Sequence, residues 1–187
     1  VLAMAAVRNN HRVGVLLFTD RIEHVVPPRK GRRHVLRIIR DLLAFEPIGR
    51  GTDLVAAIDY TARMLKEHAI VFIVSDFLSA DIDHPLKLMA QRHDVVAVTV
   101  EDPSERDLPD IGVARLIDPE TGETFEVDTS HPAVRGSYAT RVSAEREERK
   151  HLLRRLAIDE VAVRTEAGVV EPLLRFFRSR ETQARRR

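Results

Sequence analysis

The 187-residue chain is 44% hydrophobic and 32% charged, so it is too apolar for a disordered protein and too evenly charged for a membrane protein. It has no cysteine, which excludes disulfides and thiolate metal ligands. Its formal net charge of +1 gives no long-range field to attract nucleic acid. We therefore expect a cytoplasmic protein that binds no nucleic acid and has no membrane segment in this chain.

The first third of the chain predicts a hairpin between two helices. Residues 1–7 are typical of the end of a helix that is already under way. Two β-rich runs, 12–18 and 21–26, predict a hairpin whose second strand ends at Pro27-Pro28. Apolar residues at helical spacing over 33–45 predict an amphipathic helix.

The middle of the chain alternates between helix and strand signals. Gly49-Arg50-Gly51 predicts a loop, and either Thr52 or Asp53 can cap a helix that runs to about residue 67. The apolar run 69–74 predicts a central parallel strand that ends in Ser75-Asp76-Phe77. A helix over 85–92 and a strand over 94–100 repeat this pattern, which indicates βαβ units and a mostly parallel sheet.

In the last third of the chain the strict alternation of helix and strand signals ends. Strand signals on either side of a turn at 118–122 predict an inserted β-hairpin at about 108–128. A long charged helix over 131–156, a strand over 159–165 and a closing helix over 169–180 follow. We expect one domain over residues 1–187.

Several separated segments carry a family resemblance when they are taken together. The segment 20–43 has the core Pro-Pro-Arg-Lys-Gly-Arg-Arg-His, segment 51–54 is Gly-Thr-Asp-Leu, and segment 73–77 is Ile-Val-Ser-Asp-Phe. The likeness continues through 92–98 and 118–122. In order and spacing these segments resemble the bacterial "domain of unknown function 58" family, a branch of the von Willebrand factor A domains.

The resemblance implies an α/β fold with a doubly wound sheet and helices on both faces. It also implies a metal-ion-dependent adhesion site for Mg²⁺ where the strands end, with three parts: an Asp-x-Ser-x-Ser motif, a loop Thr and a late Asp. Thr52 and Asp76 match the second and third parts. Because no Asp-x-Ser-x-Ser lies upstream of Arg12, we expect a truncated domain that lacks its first central strand, with Mg²⁺ binding weakened or lost.

The same resemblance implies a protein-interaction adaptor that works with a MoxR-type AAA+ ATPase and an unknown client. We expect no enzyme activity, since no two acidic residues are placed by the sequence in acid and base roles. The alternative is a metal-dependent hydrolase or nuclease that uses acidic residues. Thr52 has an alternative role as a helix cap, and Asp76 could simply accept hydrogen bonds from loop backbone.

Basic residues cluster at Arg29, Lys30, Arg32 and Arg33. Such a run is either a solvated helix start or a docking surface for an anionic partner, and we take it as a candidate partner-binding site. The eight histidines show no close metal-binding spacing, and we assign them to surface and loop positions. Phe176-Phe177 is expected to pack the last helix, and Arg185–Arg187 to form a solvated tail.

Overall fold

A computed structural model describes residues 2–79, 81–102, 105–117, 122–166 and 168–184. The α/β class is confirmed: helices alternate with strands, and three strands form a parallel sheet. The chain forms two compact units, one up to Met64 and one from Leu65 onward. Most of the predicted turn at 118–122 and the Arg185–Arg187 tail lie outside the described residues.

The first unit contains a two-stranded antiparallel sheet and three helices. Its elements are α1 (Leu2–Arg8), β1 (Val13–Phe18), β2 (Ile22–Arg29), α2 (Arg32–Leu43) and α3 (Leu54–Met64). The helices turn their apolar faces inward, and the buried side chains are Val26, Val35, Ile38, Leu54, Ala57 and Ile58.

The predicted end of the second strand at Pro27-Pro28 is wrong, because β2 continues through both prolines to Arg29. The pairing shifts between Val13 and Val15, beyond which Val13 pairs with Arg29. This irregularity accommodates proline, which has no N–H to donate. Gly14 allows the close approach of the strands, since a Cβ there would lie 2.8 Å from the carbonyl oxygen of Val26.

The second unit is built on a parallel sheet with the strand order β3-β4-β7. Its strands and helices are β3 (Ile70–Val74), α4 (Asp83–Arg92), β4 (Asp94–Glu101), α5 (Pro132–Arg155), β7 (Asp159–Arg164) and α6 (Val170–Ala184). Between β4 and α5, β5 (Val113–Ile117) and β6 (Thr124–Asp128) pair antiparallel, in the segment where the sequence predicts a hairpin. The central strand β4 has an almost continuous buried run, as expected for a parallel strand covered on both faces.

Ion pairs connect helix α6 to the amino ends of two strands of the parallel sheet. The Arg180 guanidinium forms ion pairs with Asp94 at the start of β4 and with Asp159 at the start of β7. Phe177 lies 6.1 Å from Phe72 between ring centroids, and Phe176 stacks edge-on to Phe177. Both phenylalanines are half-buried, so this part of the helix packs as expected.

His93 lies in the connection between α4 and β4, but it is only 4% exposed, so the expected surface position is wrong for this histidine. It is placed directly between the end of α4 and the buried strand β4. Burial lowers the pKa of His93, and the nearby Arg92 and His68 add to the effect. The imidazole is therefore held neutral.

Gly14 offers a test of the strand geometry. Replacing it with alanine places a methyl group 2.8 Å from Val26 O and 3.0 Å from Pro28 N, both of which are backbone atoms with little freedom to move. We expect Gly14→Ala to lower the free energy of unfolding by about 1–3 kcal/mol, measured by urea denaturation.

Gly136→Ala is the matched control, since it lies in α5 with nothing within 4 Å of the added Cβ. Alanine is the better helix former, so this variant should gain about 0.5–1 kcal/mol. Equal effects of the two substitutions on stability would contradict the packing seen at Gly14.

Candidate functional site

Local hydrogen bonds fix the conformation of the loop that follows β3. The Ser75 N–H donates to the carbonyl of Val98 at 3.2 Å, which extends the pairing with β4. The Asp76 Oδ1 then accepts the N–H of Leu78 at 3.1 Å, and the Ser75 hydroxyl oxygen accepts the N–H of Phe77 at 3.1 Å. These bonds fix the turn while the Asp76 side chain stays exposed.

Phe77 holds this turn in an unusual backbone conformation. Its φ is 60°, in the left-handed region that costs a non-glycine residue roughly 1–2 kcal/mol. The side chain is buried, and this burial offsets the cost. The loop therefore has a defined shape set by packing beneath it.

A buried ion cluster lies at the carboxyl end of β4. Glu101 is 8% exposed, and its two oxygens contact three guanidinium groups: Arg149 at 2.9 Å, Arg146 at 2.7 Å and Arg106 at 2.9 Å. Burial alone would raise the pKa of Glu101, but the hydrogen bond from Arg106 and the charges of Arg146 and Arg149 outweigh it and lower that pKa. The carboxylate is therefore ionised at neutral pH.

Arg149 links this cluster to the loop after β3. It is 7% exposed, and its Nη1 donates to the backbone carbonyl of Asp76 at 3.2 Å. Its Nε lies 3.4 Å from the Glu160 carboxylate on β7, close enough for charge attraction but not aligned for a hydrogen bond. Glu160 also accepts a hydrogen bond from the Thr99 hydroxyl at 3.2 Å. One arginine on α5 thus positions the Asp76 loop against β4 and β7.

The sequence analysis missed both Glu101 and Arg149. The available signal was weak: Glu101 ends an otherwise apolar strand, and Arg146 and Arg149 are one helical turn apart. Because α5 is charged along its whole length, this spacing does not distinguish buried arginines from solvated ones.

A groove of about 650 Å³ runs between the loop after β3 and α5. Four of the side chains that line it are acidic: Asp81, Asp83, Glu145 and Glu148. Asp83 is paired with Arg155, which also lines the groove. The groove has no arrangement that assigns separate acid and base roles to two of these carboxylates.

In the first unit, the loop that contains Thr52 rests on Glu23. The Glu23 carboxylate accepts the N–H groups of Ile48 at 3.2 Å and Gly49 at 2.7 Å, and these bonds lower its pKa, with the Gly49 bond as the largest cause. Asp53 Oδ1 accepts the N–H of Ala56 at 2.8 Å, so Asp53 supplies a cap for α3. Thr52 is exposed beside it.

Thr52 belongs to the first unit and Asp76 to the second, and each holds an exposed position in its own loop. A hydroxyl and a carboxylate are donors that Mg²⁺ prefers. Within the described ranges, however, no three His, Asp or Glu side chains are grouped to hold one ion. The donor types fit magnesium, but their number does not make a complete site.

The basic residues Arg29, Lys30, Arg32 and Arg33 surround the start of α2 and are all exposed. The helix has no side-chain cap and no acidic residue in its first turn. In the part of the chain that the structure describes, none of the four is paired with a carboxylate. Their positive charge is therefore not compensated locally, which fits both a solvated helix start and a docking surface.

These features define a mixed α/β protein with a fixed, exposed loop where a parallel strand ends. The chain belongs to the family described as "Protein of unknown function DUF58", which matches residues 1–148. The predicted family membership is therefore confirmed.

Its relatives include the uncharacterized protein Rv1480 of Mycobacterium tuberculosis, 32% identical over 179 residues, which are 93% of this chain and 56% of that protein. The chain thus spans about half the length of that relative. The uncharacterized protein MAV169 of Mycobacterium avium is 33% identical over 162 residues, 85% of this chain and 95% of that protein.

The crystal structure of the conserved hypothetical protein BatB from Bacteroides thetaiotaomicron is also similar, with a TM-score of 0.47 and 14% identity over 83% of this chain and 85% of that one. Among the described residues, every helix is too short or too polar to cross a membrane.

The lowered pKa of Glu101 gives a test of the ion cluster. The ionised Glu101 stabilises the folded protein above pH 4.5, which is the ordinary pKa of glutamate. This stabilisation is lost as the pH falls through the lower pKa that Glu101 has in the folded protein. Glu101→Gln should cost about 3 kcal/mol at neutral pH and should flatten the loss of stability below pH 4.5. Urea denaturation across the acid range measures both effects.

Glu166→Gln is the control, because Glu166 is exposed in the turn after β7. It should follow the wild-type profile at every pH. If the free energy of unfolding falls equally steeply below pH 4.5 in the wild type and in Glu101→Gln, Glu101 is not a source of the pH dependence.

Proposed function

We propose that this chain is a protein-interaction module of the von Willebrand factor A type that works with a MoxR-type AAA+ ATPase. The observation that carries the proposal is the exposed Asp76 in a loop fixed by the buried Arg149. Ligands of open α/β sheets bind outside the carboxyl ends of the strands, which is where this loop lies. A preformed loop lowers the entropy lost on binding.

The fold supports this assignment through the parallel order β3-β4-β7 and the antiparallel pair β1-β2. Helices alternate with these strands along the chain, as they do in α/β folds with a parallel sheet.

The charge of the first unit favours a partner whose binding surface is acidic. The uncompensated charge of Arg29, Lys30, Arg32 and Arg33 would speed association with such a surface and orient it. The MoxR-type ATPase is the partner that the family resemblance implies.

The interaction can be tested with the purified chain and the MoxR-type ATPase of the same organism. We expect the two proteins to form a complex in biolayer interferometry. Arg32→Glu reverses one charge in the basic patch formed by Arg29, Lys30, Arg32 and Arg33, and it should weaken the affinity about tenfold. An acidic residue is compatible with the first turn of α2, so this variant should stay folded.

Arg154→Glu is the matched control, since Arg154 is an exposed arginine on α5, outside the patch. No complex with the ATPase, when a known partner pair binds in parallel, would overturn the adaptor proposal. Hydrolysis of a phosphoester or peptide that disappears in Asp76→Ala would support the alternative of a metal-dependent hydrolase or nuclease.

We further propose that Thr52 and Asp76, each in its own loop, bind Mg²⁺ weakly, because a single protein oxygen replaces little of a tightly held hydration shell. Mn²⁺ is a suitable paramagnetic probe. It should broaden the amide signals of Thr52, Asp76 and Leu78 in NMR spectra before most others, and Asp76→Ala should remove the broadening at Leu78.

Asp107→Ala is the control, because Asp107 is an exposed carboxylate outside the proposed site. It should leave the broadening unchanged. Tight, saturable binding, or broadening that persists in Asp76→Ala, would place the ion elsewhere.

A further inference from the structure

The base of the β5-β6 hairpin is held firmly. Thr129 is 1% exposed; its hydroxyl donates to the carbonyl of Gly112 at 2.8 Å and accepts the N–H of Ile111 at 3.1 Å. Arg135, on α5, donates to the carbonyl oxygen of Thr129 and forms an ion pair with Asp110 at 3.2 Å. The base of the hairpin is therefore fixed to the start of α5.

Beyond this base the strands are uncovered. In the described residues, β5 and β6 pair only with each other. On one face Phe125 is 49% exposed and Leu116 38%, and on the opposite face Val113 is 69% exposed and Ile117 66%. A two-stranded hairpin is marginally stable alone in water, and an exposed apolar patch usually marks a binding surface.

Strand β6 has a strict alternation of side-chain type. Its sequence is Thr124, Phe125, Glu126, Val127 and Asp128. Opposite residues of an antiparallel pair share a face, so Phe125 with its partner Leu116, and Val127 with its partner Ala114, form an apolar face. Glu126 and Asp128 lie on the other face, together with Val113, Arg115 and Ile117 of β5.

The outer edge of β6 is open, because its backbone hydrogen bonds in the described residues go to β5 alone. Such an edge accepts an additional strand. A strand that alternates apolar and basic residues would extend the apolar face and place its cations opposite Glu126 and Asp128.

Charge favours this occupant over a second copy of the chain. Residues 107–117 and 122–128 contain five acidic residues and one basic residue, Arg115. Arg115 is paired with Glu126 at 3.5 Å, but both side chains are about two-thirds exposed, so the pair is weak and easily exchanged. Two copies of this hairpin would bring like charges together.

We propose that the outer edge of β6 binds an extended segment of a partner protein in which basic and apolar residues alternate, and that this segment adds as a third strand. The proposal deepens the interaction function by naming a partner surface. It does not depend on the identity of the ATPase, which is absent from the test.

The probe is a fluorescent peptide in which lysine and valine alternate over the length of β6, and fluorescence anisotropy measures its binding to the whole chain. The same peptide with glutamate in place of lysine should bind about tenfold more weakly. Glu126→Lys should weaken binding of the lysine peptide to a similar extent, and Phe125→Ser should also weaken it. Amide NMR signals of β6 should shift on binding.

Matched controls are Glu166→Lys, an exposed acidic residue after β7, and Val169→Ser, an exposed apolar residue before α6. Both should bind the lysine peptide as the wild type does. Circular dichroism shows whether Phe125→Ser folds. If it does not fold, Glu126→Lys still tests the proposal.

Three results would overturn the proposal. The first is no binding of the lysine peptide, and the second is equal binding by the glutamate peptide or by Glu126→Lys. The third is self-association in sedimentation that is lost in Phe125→Ser, which would assign the surface to a second copy. Peptide binding without ATPase binding would support the hairpin surface and leave only the ATPase assignment wrong.

Discussion

The second unit depends on one buried charge pair, Glu101 with Arg149. Removing two ions from water is costly, and the cost is recovered more fully when the remaining polar atoms find partners. Arg149 Nη1 donates to the backbone carbonyl of Asp76, and its Nε lies near the Glu160 carboxylate without a hydrogen bond. The same bonds therefore fix the relative positions of α5, β4, β7 and the loop after β3. Substituting Glu101 would leave the buried Arg149 with only the more distant Glu160 carboxylate, whereas substituting Arg149 would leave Glu101 paired with Arg106 and Arg146.

Local patterns made most of the fold predictable. The apolar run that became β4 and the helical spacing that became α2 are each set by neighbouring residues, so periodicity is enough to find them. The continuation of β2 through Pro27-Pro28 was not predictable in this way, because it depends on a bulge in the opposite strand. Glu101 and Arg149 are 48 positions apart, so no local pattern indicates that they meet.

The two site residues taken from the sequence show how far such prediction reaches. For the loop beside Thr52, the cap is supplied by Asp53, one of the two residues that the sequence left open. For Asp76, the bond from Leu78 shows that the carboxylate does have a structural role. That role does not exclude a ligand, since a carboxylate has about four acceptor positions and this one is exposed. Local sequence therefore located the loops, while the support beneath them came from distant residues.

Helix α5 connects the two surfaces of the second unit that we assign to binding. Arg149 holds the loop of Asp76, and Arg135, about four turns earlier on the same helix, holds the base of the hairpin. Arg106, just beyond the end of β4, joins Glu101 in the ion cluster and so ties the start of the inserted segment to the sheet. Because a continuous helix is stiff over this length, the loop and the hairpin base are kept at a fixed separation. A partner that contacts both would meet a preformed surface and would lose less entropy than one that has to order it.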